Sequence, residues 1–576
     1  METENEENLK NSVNTEENKS LEKTKELTKV QNIIFHIIAI ICIVLIGCAI
    51  SPKTLQNDTF YTIAIGEYIY NNGVSDLTQD LYSWHGLPYT YPHWLYDLGI
   101  FVIYNTFGHA GIYASTMILS SLLGISIYFL CNKKSKSKVV SLILTFGAMY
   151  LIRDFLAARA QLVTFVLFAL EVICIEKFLE TQKKRYAFLL ILIPLIITNL
   201  HCAVFPFYFV LFLPYIGEYL LITVVDWDLD LRAIKLAFKI KNKFLKKEEK
   251  KQKVKEVLEK IDFGISERKR KREILRANPY KIKVQKNHTV LLLIVIMAIA
   301  ACTGFLNPAG DGAYTYLYKI LQGNTTGSIN EHLPLVLAEN KEFFIALGVF
   351  LLVLVFTDSK LKLHDLFMLG GLTFLSIKSR RQVSMFAIFC IPVLANLISQ
   401  LVEKYDKETF KKLEKFVVGW FGGLVVICLF IIISTNLLKN NIRADYVDTS
   451  SYPVEASDWI LSNLDVKNMK LYNEYNYGSY LLFRGIPVFI DSRCDLYTPE
   501  FNEDLDNGIE GRDIFSDALN IAGVAVNYEN KFEQYGVTHI ILYENAKLAM
   551  ILEDDSNYKK LYEEGNFVIF ERLNAE

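Results

Sequence analysis

Residues 55–73 read LQNDTFYTIAIGEYIYNNG. They follow an unbroken apolar run that ends at Ile50, and they carry two carboxylates, Asp58 and Glu67, nine positions apart. Phe60, Tyr61, Ile63, Ala64 and Ile65 lie between the acids, and Tyr68, Ile69 and Tyr70 lie just behind. This spacing predicts an amphipathic helix with an acid in its first turn, starting where the chain leaves a membrane. The fold reading grows from that point in both directions.

The apolar run before the stretch is one of many. Of 576 residues, 52% are hydrophobic and 13% aromatic, and the mean hydropathy is +0.24. Such values, repeated in runs, predict a polytopic α-helical membrane protein. Eleven spans are expected, at 31–50, 109–130, 139–152, 161–178, 186–200, 203–225, 288–306, 342–357, 365–377, 382–400 and 416–437. The segments CNKKSKSK (131–138), ETQKKR (180–185), DSKLKLH (358–364) and EKYDKETFKKLEK (403–415) are basic, which puts them on the cytoplasmic face. They alternate consistently if the N-terminus is inside and the C-terminus outside, which an odd number of spans satisfies. That parity leaves 94–108 as a juxtamembrane or re-entrant helix on the outer side.

The remaining segments complete the domain plan. Residues 1–29, rich in Glu, Lys and Asn, predict a disordered cytoplasmic tail. Residues 30–437 form the transmembrane domain. Within it, the loop 226–287 carries 21 Lys and Arg against 10 Asp and Glu. An amphipathic pattern runs along that loop from Ile234 and Phe238 through Phe244 and Leu245 to Val254, Val257, Leu258 and Ile261, suited to anionic inner-leaflet lipid. From 438 to 576 the pattern changes to that of an extracytoplasmic α/β domain. KLYNEY, PVFIDSR, VTHIILYE and NFVIFER read as strands, and 453–464 and 545–554 as helices. The nine cysteines include no CxxC and predict no disulfide framework. A net charge of −2 gives no global field for nucleic acid.

This topology gathers polar residues at the outer mouth. Asp58, Glu67, His85, His93 and Asp97 come from the first loop, with Arg153, Asp154, Arg159, His201, Glu331, His332, Lys378, Arg380 and Arg381 from later ones. Arginines at span ends on the outer face run against the positive-inside pattern and point to a bound anion, phosphate above all. Arg153, Arg159, Arg380, Arg381 and His201 are therefore the candidate phosphate contacts. Glu67, His93 and Glu331 are candidate contacts for a sugar or an acceptor. The aromatic loop WHGLPYTYPHW (84–94) supplies surfaces on which a sugar can stack. In the tail, the FIDSR acid lacks a partner acid and reads as structure at a strand end.

These residues resemble a family. The first outer loop, with its acid just after the first span and a helix behind it, is similar to the GT-C superfamily of polyprenyl-phosphate-sugar glycosyltransferases, which includes protein O-mannosyltransferases and lipid A aminoarabinose transferases. The resemblance covers roughly residues 30–437. NDTFYTIAIGEYI, ARAQLVTF, NLHCAVFPF, INEHLP and SRRQVSMFAIF resemble segments of bacterial membrane proteins with this architecture, and LYNEYNYGSYLLFRGIPVFIDSRCDLY resembles their outer tail. The resemblance implies a multi-pass cell-membrane enzyme that moves a sugar from a polyprenyl-phosphate donor to a glycan, lipid or protein acceptor. It makes Asp58 the general base of an inverting transfer. The family's second acid is replaced here by Thr59, so a divalent metal is admitted but not required. Two other classes stay open. Glu171 and Glu218 lie within spans, as proton-relay acids of a transporter do, and a non-catalytic envelope-assembly protein could keep the fold without the second acid.

Overall fold

The structure is a computed structural model, and it describes residues 27–74, 79–242, 248–323, 327, 329–502 and 512–573. Phe244, Leu245 and most of the N-terminal tail lie outside the described residues.

Each expected span falls on helix. The helices run Lys29–Ile50, Trp94–Lys134, Lys138–Ile152, Ala160–Thr181, Lys184–Leu200, Phe205–Val210 with Leu213–Asp226, Thr289–Cys302, Lys341–Phe356, Leu363–Lys378, Val383–Tyr405 and Trp420–Arg443. Among the described residues, five segments are long and apolar enough to cross a membrane: Lys29–Ile50, Trp94–Lys134, Cys202–Asp226, Arg380–Tyr405 and Trp420–Lys439. Trp94–Lys134 is broken at Gly108, whose φ of 62° and ψ of −157° suit only a residue without a side chain. That break separates residues 94–107 from the apolar helix behind them.

Two basic connections are ordered rather than loose. Residues 403–415, read as a loop, mostly belong to the helices Val383–Tyr405 and Lys407–Val418. The 226–287 loop is a helical hairpin of Leu229–Lys241 and Glu248–Ala277. Its second arm is held to the first by an ion pair at 2.8 Å from Arg268 to Asp230, and to the residues just before the first arm by pairs at 2.6 Å from Arg272 to Asp228 and 2.7 Å from Arg276 to Asp226. The hairpin's exit strand β1 (Ile282–Lys283) lies parallel to β2 (Leu361–Lys362).

The tail holds a four-stranded sheet of β3 (Leu471–Tyr472), β4 (His539–Tyr543), β5 (Tyr558–Glu564) and β6 (Phe567–Arg572), in the order β3-β4-β6-β5. Only β3–β4 is parallel; the other pairs are antiparallel. PVFIDSR is not a strand: it runs as coil with one bridge from Val488 to Ser83. β5 was not anticipated, because YKKLYEE alternates too weakly in hydrophobicity.

The packing does not divide at residue 438. Helix Asn57–Asn72 is enclosed rather than amphipathic, with buried residues from Thr59 through Gly66 and again at Ile69. Its Phe60 ring lies 4.9 Å from Tyr452 and 5.1 Å from Tyr480 of the tail, so the first loop and the tail share one hydrophobic core. Gly66 makes this possible on the opposite face. A Cβ there would stand 2.1 Å from the Asp97 carbonyl oxygen, so only glycine lets helix Asn57–Asn72 lie this close to residues 94–107.

Candidate active site

The first loop, the bundle and the tail enclose a cavity of about 710 Å³, within the range of small-molecule sites. Its lining includes Asp58, His93, Arg159, His201, Glu331 and Arg381, residues up to 323 positions apart in sequence. Glu474, Cys494 and Asp495 complete it from the tail.

Asp58 sits in the first turn of helix Asn57–Asn72, where the helix dipole favours a carboxylate. It is not the N-cap; that position is Gln56, which makes no capping bond. Asp58 Oδ2 lies 3.0 Å from Arg159 Nε, and Arg159 Nη1 donates to Glu331 Oε1 at 2.9 Å. Arg159 is thus shared by two carboxylates. Burial alone would raise the Glu331 pKa, but the charges of Arg159 and Arg381 outweigh it and hold the carboxyl below its ordinary range.

Arg381 stands in the short turn Arg380–Gln382 between two helices. Its Nη2 donates to Gln161 Oε1 at 3.1 Å. Among the described residues no carboxylate comes within ion-pair distance of it, so its charge is directed at the cavity. His201 is buried beside it and bonded to Thr164 Oγ1 at 3.3 Å. Burial first, then Arg381 and His93, push the His201 pKa well below its ordinary value, so the ring is neutral at pH 7.

Three expected site residues lie elsewhere. Arg380 turns away to Glu339 at 2.7 Å. Arg153 stacks on Tyr150, 4.0 Å from the ring centroid, and lies 3.6 Å from both Asp154 and Glu342. Glu67 is exposed, nine residues along the helix from Asp58 and outside the lining. Adjacent positions such as Arg380 and Arg381 point different ways, and sequence spacing does not choose between them.

The tail acids were missed. Asp495 accepts from Tyr316 Oη at 3.2 Å, and burial pushes its pKa up. Glu474 is also pushed up by burial. The tail acid the sequence did single out, Asp491, faces inward instead. It pairs with Arg493 at 2.6 Å and accepts from Tyr497 Oη at 2.5 Å. Arg493 also pairs with Asp80 at 2.7 Å, so this buried cluster fastens the tail to the first loop. Among the described residues, no three His, Cys, Asp or Glu side chains converge as a metal-ligand set.

No family model and no curated protein matches the chain. Solved structures do. An oligosaccharyltransferase from Archaeoglobus fulgidus, tethered with an acceptor peptide containing the NVT sequon, aligns over 88% of this chain and 69% of its own, at 11% identity and a TM-score of 0.48. AglB from the same organism, in complex with an inhibitory peptide and a dolichol-phosphate, aligns over 92% and 74%, at 12% and 0.48. ArnT from Cupriavidus metallidurans, bound to undecaprenyl phosphate, aligns over 94% and 98%, at 10% and 0.48. These neighbours are GT-C membrane glycosyltransferases. At such scores the likeness is loose, and what the cavity does is read from its own residues.

Proposed function

We propose that the chain is a membrane glycosyltransferase that moves a sugar from a polyprenyl-phosphate donor to an acceptor, with inversion, in the cavity beneath the tail. The observation that carries this reading is Arg381, a guanidinium without a carboxylate partner among the described residues, facing a cavity whose other arginines, Arg159 and Arg493, are both paired with carboxylates. In a water-poor site an unpaired guanidinium is a strong point of attraction for phosphate. It would stabilise the negative charge that grows on the leaving lipid phosphate in the transition state. His201, neutral beside it, can donate a hydrogen bond without adding charge.

The acids of the cavity suit the other half of the reaction. Glu331, Asp495 and Glu474 can bind sugar or acceptor hydroxyls, and Tyr96 and Tyr475 offer ring faces. Asp58 borders the same space. A single displacement at the anomeric carbon, with the acceptor opposite the phosphate, inverts the configuration. The cavity side of the bundle is the extracytoplasmic side in this proposal, as the basic segments at the other end require. A polyprenyl-linked sugar, the bilayer and a glycan, lipid or protein acceptor are its partners.

The full chain in lipid nanodiscs should retain added undecaprenyl phosphate, read by native mass spectrometry. Arg381→Ala should weaken retention at least tenfold, while Arg153→Ala should not. No retention above that of an uncharged polyprenol, or an unchanged Arg381→Ala variant, would sink the proposal. Retention without transfer from any undecaprenyl-phosphate-linked sugar would favour the non-catalytic assembly reading.

A further inference from the structure

Asp58 is the acid that the sequence nominates as base, yet its carboxylate already lies 3.0 Å from Arg159. That contact engages the carboxylate in orienting a cation, with Arg159 between it and Glu331. A better-equipped group stands on the same wall. His93 Nδ1 lies 2.8 Å from Oδ1 of Asp97, whose side chain is 0% exposed. On the other side of the ring, Nε2 lies 3.1 Å from Tyr61 Oη. His93 and Tyr61 both line the cavity, whereas Asp97 lies behind them.

The carboxylate fixes the tautomer. With Nδ1–H donated to Asp97, Nε2 is left bare and accepts the Tyr61 hydroxyl proton. The Tyr61 oxygen then offers a lone pair to the cavity. An acid, an oriented imidazole and a hydroxyl in series form the arrangement that moves a proton out of a reacting centre.

We infer that Tyr61, His93 and Asp97 form the proton-accepting chain of the transfer reaction, and that Asp58 is a positioning residue that holds Arg159. The inference rests on the glycosyl-transfer reading. The acceptor oxygen forms its bond to the anomeric carbon as the bond from that carbon to the phosphate oxygen breaks, and the lipid phosphate leaves with the electron pair. The acceptor's proton passes to Tyr61 Oη while the Tyr61 proton passes to His93 Nε2. The imidazolium so formed is held by Asp97 until it releases its proton to solvent.

The charges around His93 agree with this use. Asp97 faces it from its own helix, Tyr61 and Asp58 from helix Asn57–Asn72, His201 from the turn after Leu200, and Arg493 from the tail. Burial disfavours the charged ring, but the Asp97 charge and hydrogen bond outweigh it, with Asp58 assisting and Arg493 opposing, so the pKa lies above the ordinary 6.5. A base works unprotonated, so the rate should fall as pH drops through that raised value.

Two measurements on the full chain in nanodiscs test this. The first is histidine C2-proton exchange, read by peptide mass spectrometry. His93 should titrate above its ordinary range, and Asp97→Asn should lower it; an ordinary value unmoved by Asp97→Asn overturns the chain. The second is release of undecaprenyl phosphate from a panel of undecaprenyl-phosphate-linked sugars. Tyr61→Phe and His93→Gln should each slow release roughly 10²–10⁴-fold, with retention of undecaprenyl phosphate unchanged and the acid limb of the pH profile gone. Asp58→Asn should slow release but keep that limb. A wild type that turns over donor while Tyr61→Phe and His93→Gln keep full rate overturns this inference alone. A wild type that retains undecaprenyl phosphate and turns over no donor overturns the transfer reading and this one with it.

Discussion

Arg381 and Arg493 both line the same cavity, and their partners decide their roles. Arg493 is boxed between Asp80 and Asp491, under the Tyr89 ring at 5.0 Å, with its side chain 2% exposed. Removing the cation would leave two buried carboxylates without it. Arg493→Met should therefore destabilise the protein by roughly 3–5 kcal/mol, the usual cost of breaking a buried ion pair from one side. Thermal unfolding followed by tryptophan fluorescence would show it, and a shift within error would mean that water reaches the cluster. Asp491→Asn with Asp80→Asn should recover part of the loss. Glu171 is the converse case. It is 0% exposed, and neither carboxylate oxygen has a partner among the described residues. Glu171→Gln should raise the unfolding temperature or leave it unchanged, and it should leave donor turnover intact. A carrier that moves protons through Glu171 would instead lose its function.

Individual residues were legible from sequence only as far as their chemistry and approximate place. Asp58, Arg159, Arg381, His93, His201 and Glu331 share a cavity because the helices converge at one end, and helix order can be inferred from apolar runs. Arg153 and Arg380 were indistinguishable from them because the turn geometry that aims a side chain leaves no periodic signature. The tail acids Glu474 and Asp495 were missed for a different reason. The tail read as a separate domain, and nothing in a strand pattern says which edge will press on a membrane bundle.

At the level of elements, the decisive contact is between the first loop and the tail. His85 belongs to it. Its Nε2 lies 2.8 Å from the Phe489 carbonyl oxygen, and its ring packs 4.2 Å from Trp84 and 5.0 Å from Phe489. Burial pushes the His85 pKa down to about 4, only partly offset by the backbone hydrogen bond. The unfolded chain therefore binds a proton between about 6.5 and 4 that the folded one refuses, so this group's stabilisation is present above 6.5 and lost as pH falls through that window. Over the window the loss is about 3 kcal/mol. Trp84 fluorescence should report loosening of the loop from the tail as pH drops from 7 to 4, and His85→Phe should flatten that response. An equal response in the variant would assign the transition to other groups. Gly66 acts at the same scale. Gly66→Ala would drive residues 94–107 away from helix Asn57–Asn72 and pull His93 off Tyr61, so the raised His93 titration should revert toward its ordinary value.

For the whole molecule, apolar-run counting located the helices well, because it follows from the cost of placing polar groups in hydrocarbon, whereas basic-segment alternation bears on the orientation. The orientation can be tested directly. In a background with Cys302 and Cys428 replaced by Ser, Lys559→Cys should react with an impermeant thiol reagent on intact cells and Lys136→Cys should not. The opposite pattern would invert the molecule and move the proposed transfer to the cytoplasm.

The core shared by the first loop and the tail also sets a timetable for synthesis. Phe60 packs on Tyr452 and Tyr480, yet the ribosome reaches Tyr452 380 residues after it has made Asn72. At ~5–20 residues per second this delay is roughly 20–75 s. Throughout that interval helix Asn57–Asn72 has left the insertion machinery without the partner that covers it. A nascent chain stalled before the tail would present that apolar helix to quality-control proteases, so truncated messages should yield rapidly degraded protein even when every membrane segment is intact.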